Sequence, residues 1–166
     1  MNRICYHTQE CRGDKLSKPI KCEKDNAWLG IGYYFWIDEN DALFWGQVSK
    51  RRTGKYDVYV SEIECDDVLD TVFNEDHYRF WVKNIEKAAK IILKKTSLKP
   101  TLKEINEFFL ERGVWEGVDG IMFQDISKNE LHYLVQQFQY KKRIQLGLFN
   151  IKKMTNFTHH YTGDCV

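Results

Sequence analysis

Residues Trp28–Gly46 read WLGIGYYFWIDENDALFWG, and the fold turns on how they are read. Gly30 and Gly32 precede an unbroken aromatic run of Tyr33, Tyr34, Phe35 and Trp36. The glycines predict a turn and the aromatics a short strand. Asp38 then stands as an N-cap, with Asp41 where a capping-box acid belongs, and these acids suit the positive end of a helix dipole. Ala42, Leu43, Phe44 and Trp45 carry an amphipathic helix from Glu39 to Ser49, broken by Arg51-Arg52-Thr53-Gly54. Rings on both faces of the strand are the anomaly, because such a strand normally buries one face. Burial on both sides in a large core accounts for it without any function.

Outward from this stretch, Arg3–Thr8 (RICYHT) predicts a first strand with His7 near its end, followed by a loop through residues 9–26. Tyr56–Glu64 predicts a largely buried strand, with Val58 and Val60 on one face and Tyr59 and Ile63 on the other. Tyr78, Trp81, Val82, Ile85, Ala88, Ala89 and Ile92 recur at helical spacing, predicting a helix from Glu75 to Lys95. After Pro100, Thr101 and Glu104 form a capping box for a second helix with Leu102, Ile105, Phe108 and Phe109 on its apolar face, ended by Gly113. Ile121–Phe123 and Arg143–Phe149 predict two more strands, and residues 124–142 show no clear pattern. Strands at both ends with a helical pair between them give an α+β class. One domain over residues 1–154 is expected, with 155–166 a flexible C-terminal tail.

Composition bounds the rest. A chain of 166 residues buries a real core, and 30% charged with 43% hydrophobic residues is ordinary for a soluble globule. A formal charge of +1 gives no global field toward nucleic acid or acidic membranes. The five cysteines form no C-x-x-C pair, and without a signal-peptide pattern they suit reduced thiols in the cytoplasm. No apolar run approaches a membrane span, so no membrane partner is expected. Cys11, Cys22 and His7 lack the spacing and the fourth ligand of a zinc site, so no metal is expected.

Three polar positions sit on or beside strands that otherwise look buried: His7, Tyr34 and Gln145. Each has a bland reading, respectively a hydrogen-bonded strand-end histidine, a core tyrosine and a solvent-facing glutamine. No G-x-S-x-G, Walker loop or H-E-x-x-H occurs, and Gly30-x-Gly32 lacks the rest of a dinucleotide fingerprint.

Tyr6-His7-Thr8, then Leu29-Gly30-Ile31-Gly32-Tyr33-Tyr34-Phe35, then Ala42-x-x-Trp45-Gly46 resemble the ADP-ribosyltransferase superfamily, in its diphtheria-toxin-like and poly(ADP-ribose)-polymerase-like branch with a His-Tyr-Glu signature. More closely they are similar to small bacterial and phage-associated toxin or defence proteins, and Gly117–Phe123 and Lys142–Phe149 fit the same group. The resemblance spans most of Ile4–Asn150. It implies split antiparallel sheets with flanking helices and an inserted helical pair. It also implies cleavage of the nicotinamide–ribose bond of NAD⁺, a substrate here, and transfer of ADP-ribose to a macromolecule.

By this resemblance, His7 hydrogen-bonds a ribose hydroxyl and Tyr34 stacks on nicotinamide, with Tyr33 as the off-by-one rival. Thr8, Gly30, Gly32, Phe35 and Trp45 complete the NAD⁺ contacts, the glycines letting backbone approach the ligand and Trp45 bracing the strand from behind. Two positions depart from the family pattern. Thr8 replaces a glycine whose backbone binds the carboxamide. Gln145 stands where the family has glutamate, and an amide carries no charge to offset an oxocarbenium and cannot act as a base. Glu130 is the nearest acidic substitute, with a plain surface acid as its bland reading. Lys141, Lys142 and Arg143 lie where acceptors bind, suiting nucleic acid or an acidic protein surface. The expected function is a mono-ADP-ribosyltransferase acting in the cytoplasm as toxin, defence effector or phage counter-effector, with a cognate antitoxin as a further partner. The alternative is a catalytically silent NAD⁺ or nucleotide-binding module of the same fold. A tRNA 2′-phosphotransferase-like enzyme ranks last, for want of an arginine pair beside His7.

Overall fold

The computed structural model describes residues 1–24, 27–49, 51–125, 134–136, 138 and 142–166. In chain order these form β1 (Asn2–Glu10), β2 (Tyr33–Trp36), α1 (Glu39–Val48), β3 (Lys55–Glu64), β4 (Val68–Asp70), α2 (Glu75–Thr96), α3 (Leu102–Glu111), β5 (Gly120–Asp125), β6 (Arg143–Leu148) and β7 (Met154–Asp164). The class is α+β. The strands make one sheet in the order β4-β5-β6-β2-β1-β3-β7, with β4 parallel to β5 and every other pair antiparallel.

A single continuous seven-stranded sheet replaces the expected split pair of sheets. β1 and β2 share one registered pair, Tyr6↔Trp36, whereas β1 pairs with β3 along its whole length and β2 with β6 along all of its own. The sheet is therefore two well-laddered halves on a narrow seam.

Strand alternation sorts the side chains. On one face, Cys5 and Ile63 from one half cluster with Phe35, Met122, Leu146 and Leu148 from the other. On the opposite face, Ile121 and Leu29 pack beneath α2, α3 and the turn after them through Trp81, Ala88, Ile105, Phe109 and Trp115. Also on that face, α1 lays Ala42 on Trp36, Tyr56 and Val58.

The helices start and stop where side chains meet orphan backbone groups. Asp38 caps α1 by accepting from the Asn40 N–H, and Asn74 caps α2 by accepting from that of His77. Thr101 and Glu104 close the full capping box on α3. α2 ends on Ser97 in the left-handed region at φ 59°, with Lys94 and Lys95 in its last turn. No helix among the described residues is long and apolar enough to cross a membrane.

Residues 155–166 are not a flexible tail. Most of them belong to β7, an 11-residue strand registered on β3 from Lys55↔Asp164 to Ile63↔Met154. Among the described residues no strand lies beside its outer edge, and most of its side chains on both faces are exposed, so no buried face leaves an alternating signature. Thr155, Phe157, Thr158, Tyr161 and Thr162 supply β propensity instead. Register shifts between Val58 and Tyr59 and between Val60 and Glu62 disrupt the ladder with β3.

Candidate functional site

The seam opens into a cleft of about 910 Å³, and His7 is the residue at its throat. Beyond Tyr6↔Trp36 an antiparallel ladder would continue, but the Tyr34 carbonyl accepts from the His7 ring, Nδ1 at 2.9 Å, instead of from a β1 backbone N–H. An imidazole in the place of a ladder bond parts the two strands. His7 is 4% exposed, its ring packed among Phe35, Tyr59 and Phe157.

Burial pushes the His7 pKa down to about 4, against the opposing effects of the Tyr34 carbonyl and the Gln9 side chain. At neutral pH the ring is therefore uncharged. A carbonyl only accepts, so Nδ1 carries the proton and Nε2 is the unprotonated nitrogen, buried with no hydrogen bond of good geometry although the Gln9 side chain lies beside the ring.

Tyr34 and Trp36 share one face of β2, and the register Trp36↔Gln145 puts Gln145 on that face too. All three line the cleft with Thr8 and with His7, whose ring packs against Phe35 of the opposite face. The Tyr34 hydroxyl is fully engaged: it accepts from the Leu29 N–H at 2.8 Å and donates to the Gly30 carbonyl at 2.7 Å. Burial lifts its pKa above the ordinary phenol range. Its hydroxyl ties down the glycine turn, and its ring is the part left to meet a ligand.

The Thr8 hydroxyl donates to the Ala42 carbonyl at 2.8 Å, tying β1 to α1. Thr8 is not among the described non-glycine residues with positive φ, which are Ser97 and Asn156.

Several expected contacts fall elsewhere. Tyr33 and Phe35 point to the opposite face, where Phe35 is fully buried and Tyr33 packs against the same cluster, so alternation removes both from the cleft. Gly30 and Gly32 serve packing rather than ligand approach. A Cβ on Gly32 would meet the Leu148 carbonyl at 2.7 Å, and Gly30, at φ +100°, faces Asn106 and Phe149. Trp45 does not brace the strand from behind. α1 crosses the same face as Tyr34, so Trp45, 40% exposed, lines the cleft with its ring 6.1 Å from that of Trp36.

Arg143 is not a free surface charge. It pairs with Asp125 at 2.7 Å and lies over the rings of Trp36 and Phe44 at 5.8 and 5.9 Å. Lys142 is exposed, and Glu130 and Lys141 lie outside the described residues.

Trp28, Trp36 and Asp125 are among the cleft residues that escaped the sequence reading. Trp36 had a usable signal, its even spacing from Tyr34. Trp28 donates from Nε1 to Gln145 Oε1 at 2.7 Å across 117 positions of sequence, and nothing local announces such a pair. Loop residues Arg12 and Ile20–Lys24 wall the opening, and backbone bonds between Cys22 and Gly32 fix that loop to the glycine turn.

Two carboxylates among the described residues line the cleft, and both have a cation beside them: Asp125 with Arg143 at 2.7 Å, Glu23 with Lys21 at 3.7 Å. Asp41, behind the Arg143 end, is raised to about 6, first by burial and then by Asp38, with Asp125 adding to the rise and Arg143 opposing it. No cluster that would hold a metal ion occurs among the described residues. A second hollow, about 510 Å³, runs along α2 beside Tyr78, Val82 and four basic side chains, without convergent groups from another described element.

The cleft thus offers a buried neutral histidine at its edge, an amide at Gln145 and aromatic faces at Tyr34, Trp36 and Trp45. That set suits a ligand with hydroxyls and flat rings. Comparison with protein-family models, curated proteins and solved structures gives no match for this chain.

Proposed function

We propose that the cleft binds NAD⁺ and that the protein is a mono-ADP-ribosyltransferase of the His-Tyr-Glu kind, acting on a cellular macromolecule. The observation that carries this reading is that His7, Tyr34 and Gln145, from three strands, all line the cleft beside the seam where β1 and β2 share a single registered pair. In this reading the neutral His7 Nε2 accepts from a ribose hydroxyl, the Tyr34 ring stacks on nicotinamide, and Thr8 offers backbone groups to the carboxamide. The ribose C1′–nitrogen bond breaks, nicotinamide leaves with the electron pair, and an acceptor nucleophile bonds to C1′ and releases its proton to water. Tight grip on the departing ring and the ribose lowers the barrier by orientation. The biological setting proposed is that of an intracellular toxin, defence effector or phage counter-effector.

Incubating the pure protein with NAD⁺ labelled in its adenylate and a fractionated cell lysate, beside Tyr34→Ala, tests this. Label entering protein or nucleic acid with the wild type alone establishes the transferase and the acceptor class together. Absence of nicotinamide release with every fraction refutes it.

A second reading, a silent NAD⁺-binding module, is favoured by one observation. Among the described residues, neither carboxylate lining the cleft is without a cation beside it, and residue 145 is an amide. Intact NAD⁺ with measurable affinity would decide for it.

A further inference from the structure

The Gln145 side chain makes one hydrogen bond to a described residue, accepting from Trp28 Nε1 at 2.7 Å. An indole nitrogen only donates, so the amide oxygen faces Trp28 whichever way the two amide atoms are assigned. The indole is itself held. Its ring meets Phe123 edge-on at 5.6 Å and 76°, and Phe123 is the register partner of Gln145 on β5. Trp81 of α2 backs Phe123 at 4.7 Å. Rotating the amide would break its bond to Trp28 and set two N–H donors against each other. The amide nitrogen, with two donor hydrogens, is the group left for the cleft.

We infer that Trp28 is a positioning residue that makes position 145 a fixed hydrogen-bond donor, so that the ligand turns an acceptor oxygen, of a carbonyl or a phosphate, toward Gln145. The identity of that ligand rests on the nucleotide reading above; the Trp28–Gln145 polarity does not. A glutamate in the same place would accept from Trp28 with one oxygen and turn a negative oxygen on the ligand. Position 145 therefore differs from a catalytic acid in polarity and not in placement.

The test uses the whole chain, ¹⁵N-labelled, with NAD⁺, nicotinamide and inorganic pyrophosphate as separate probes. The Trp28 indole N–H should exchange with solvent about tenfold more slowly than that of the half-exposed Trp45, and Gln145→Met should abolish the difference. Nicotinamide moving the Gln145 amide resonances assigns the carbonyl source, and pyrophosphate moving them assigns the phosphate source. Gln145→Glu should weaken whichever probe binds by about fivefold or more while raising nicotinamide release. Trp28→Phe, with unchanged melting, should remove that gain from the Gln145→Glu protein. Equal exchange of the two indoles, an amide unmoved by all three probes, or a Gln145→Glu protein binding as tightly as wild type overturns the inference. NAD⁺ failing to bind while a smaller probe still moves the amide refutes the dinucleotide reading and leaves the polarity standing.

Discussion

The helical layer and the seam are built on opposite terms. In the layer of α2 and α3, caps close the N-termini, charges follow the helix dipole, and Trp81, Ile105 and Phe109 fill one apolar cluster. At the seam the ladder stops after one pair, a histidine is buried neutral, and its outer nitrogen makes no hydrogen bond of good geometry among the described residues. Local rules that agree with one another mark scaffold, and rules broken together at one place mark a site. The lesson is sharpened by a shared violation. Trp81 and Trp115 also leave buried indole nitrogens without partners, yet they sit within packed apolar surface and face no cleft. An orphan group means a site only where there is room for a ligand.

Breaking the layer should cost the most stability. Trp81→Ala removes a large ring that is 6% exposed, and a loss of about 3–5 kcal/mol is expected. Urea unfolding at neutral pH checks it. A loss below about 1 kcal/mol would mean that the layer is not the scaffold described.

Acid should expose the seam. His7 falls from an ordinary value of 6.5 to about 4, so between those values the unfolded chain binds a proton that the folded chain refuses. Its contribution to stability is complete above pH 6.5 and falls by about 3 kcal/mol as pH drops toward 4. Asp41 acts with the opposite sign. Raised from 3.8 to about 6, it adds stability below 3.8 that is lost as pH rises through 6. Urea midpoints across pH 4–7 should therefore show a flattened acid slope in His7→Gln and a steeper one in Asp41→Asn. Identical slopes in the two variants would contradict the burial assigned to both.

The smallest effect belongs to the layer's surface. Thr101→Ala removes the α3 cap and should cost about 1 kcal/mol, with the proposed NAD⁺ binding, followed by calorimetry, unchanged. A change in binding would mean that the layer reaches the cleft.

The layer was the most legible part of the sequence. Three-and-four spacing placed α2 within a residue of its ends, and Thr101 with Glu104 announced α3. β2 was legible as a strand, but which tyrosine faced the cleft was not, since Tyr33 and Tyr34 are chemically alike and only the neighbour strands fix the faces. β7 was illegible because an edge strand with both faces largely exposed needs no alternation. The seam itself had no local signature. The pairing of Trp28 with Gln145, and of His7 with a backbone carbonyl, are facts of tertiary geometry that no window of sequence contains.

The single pair Tyr6↔Trp36 also has a mechanical meaning. Two stiff panels meet at one rung, and α1, held to β1 by Thr8 and seated on Trp36, lies across the joint as a splint. Strain applied between the panels concentrates at that rung, because both sides of it are braced by long ladders and the rung is not. Anything lodged between His7 and Gln145 spans the joint and acts as a rivet, so occupancy of the cleft is written into the stiffness of the whole sheet.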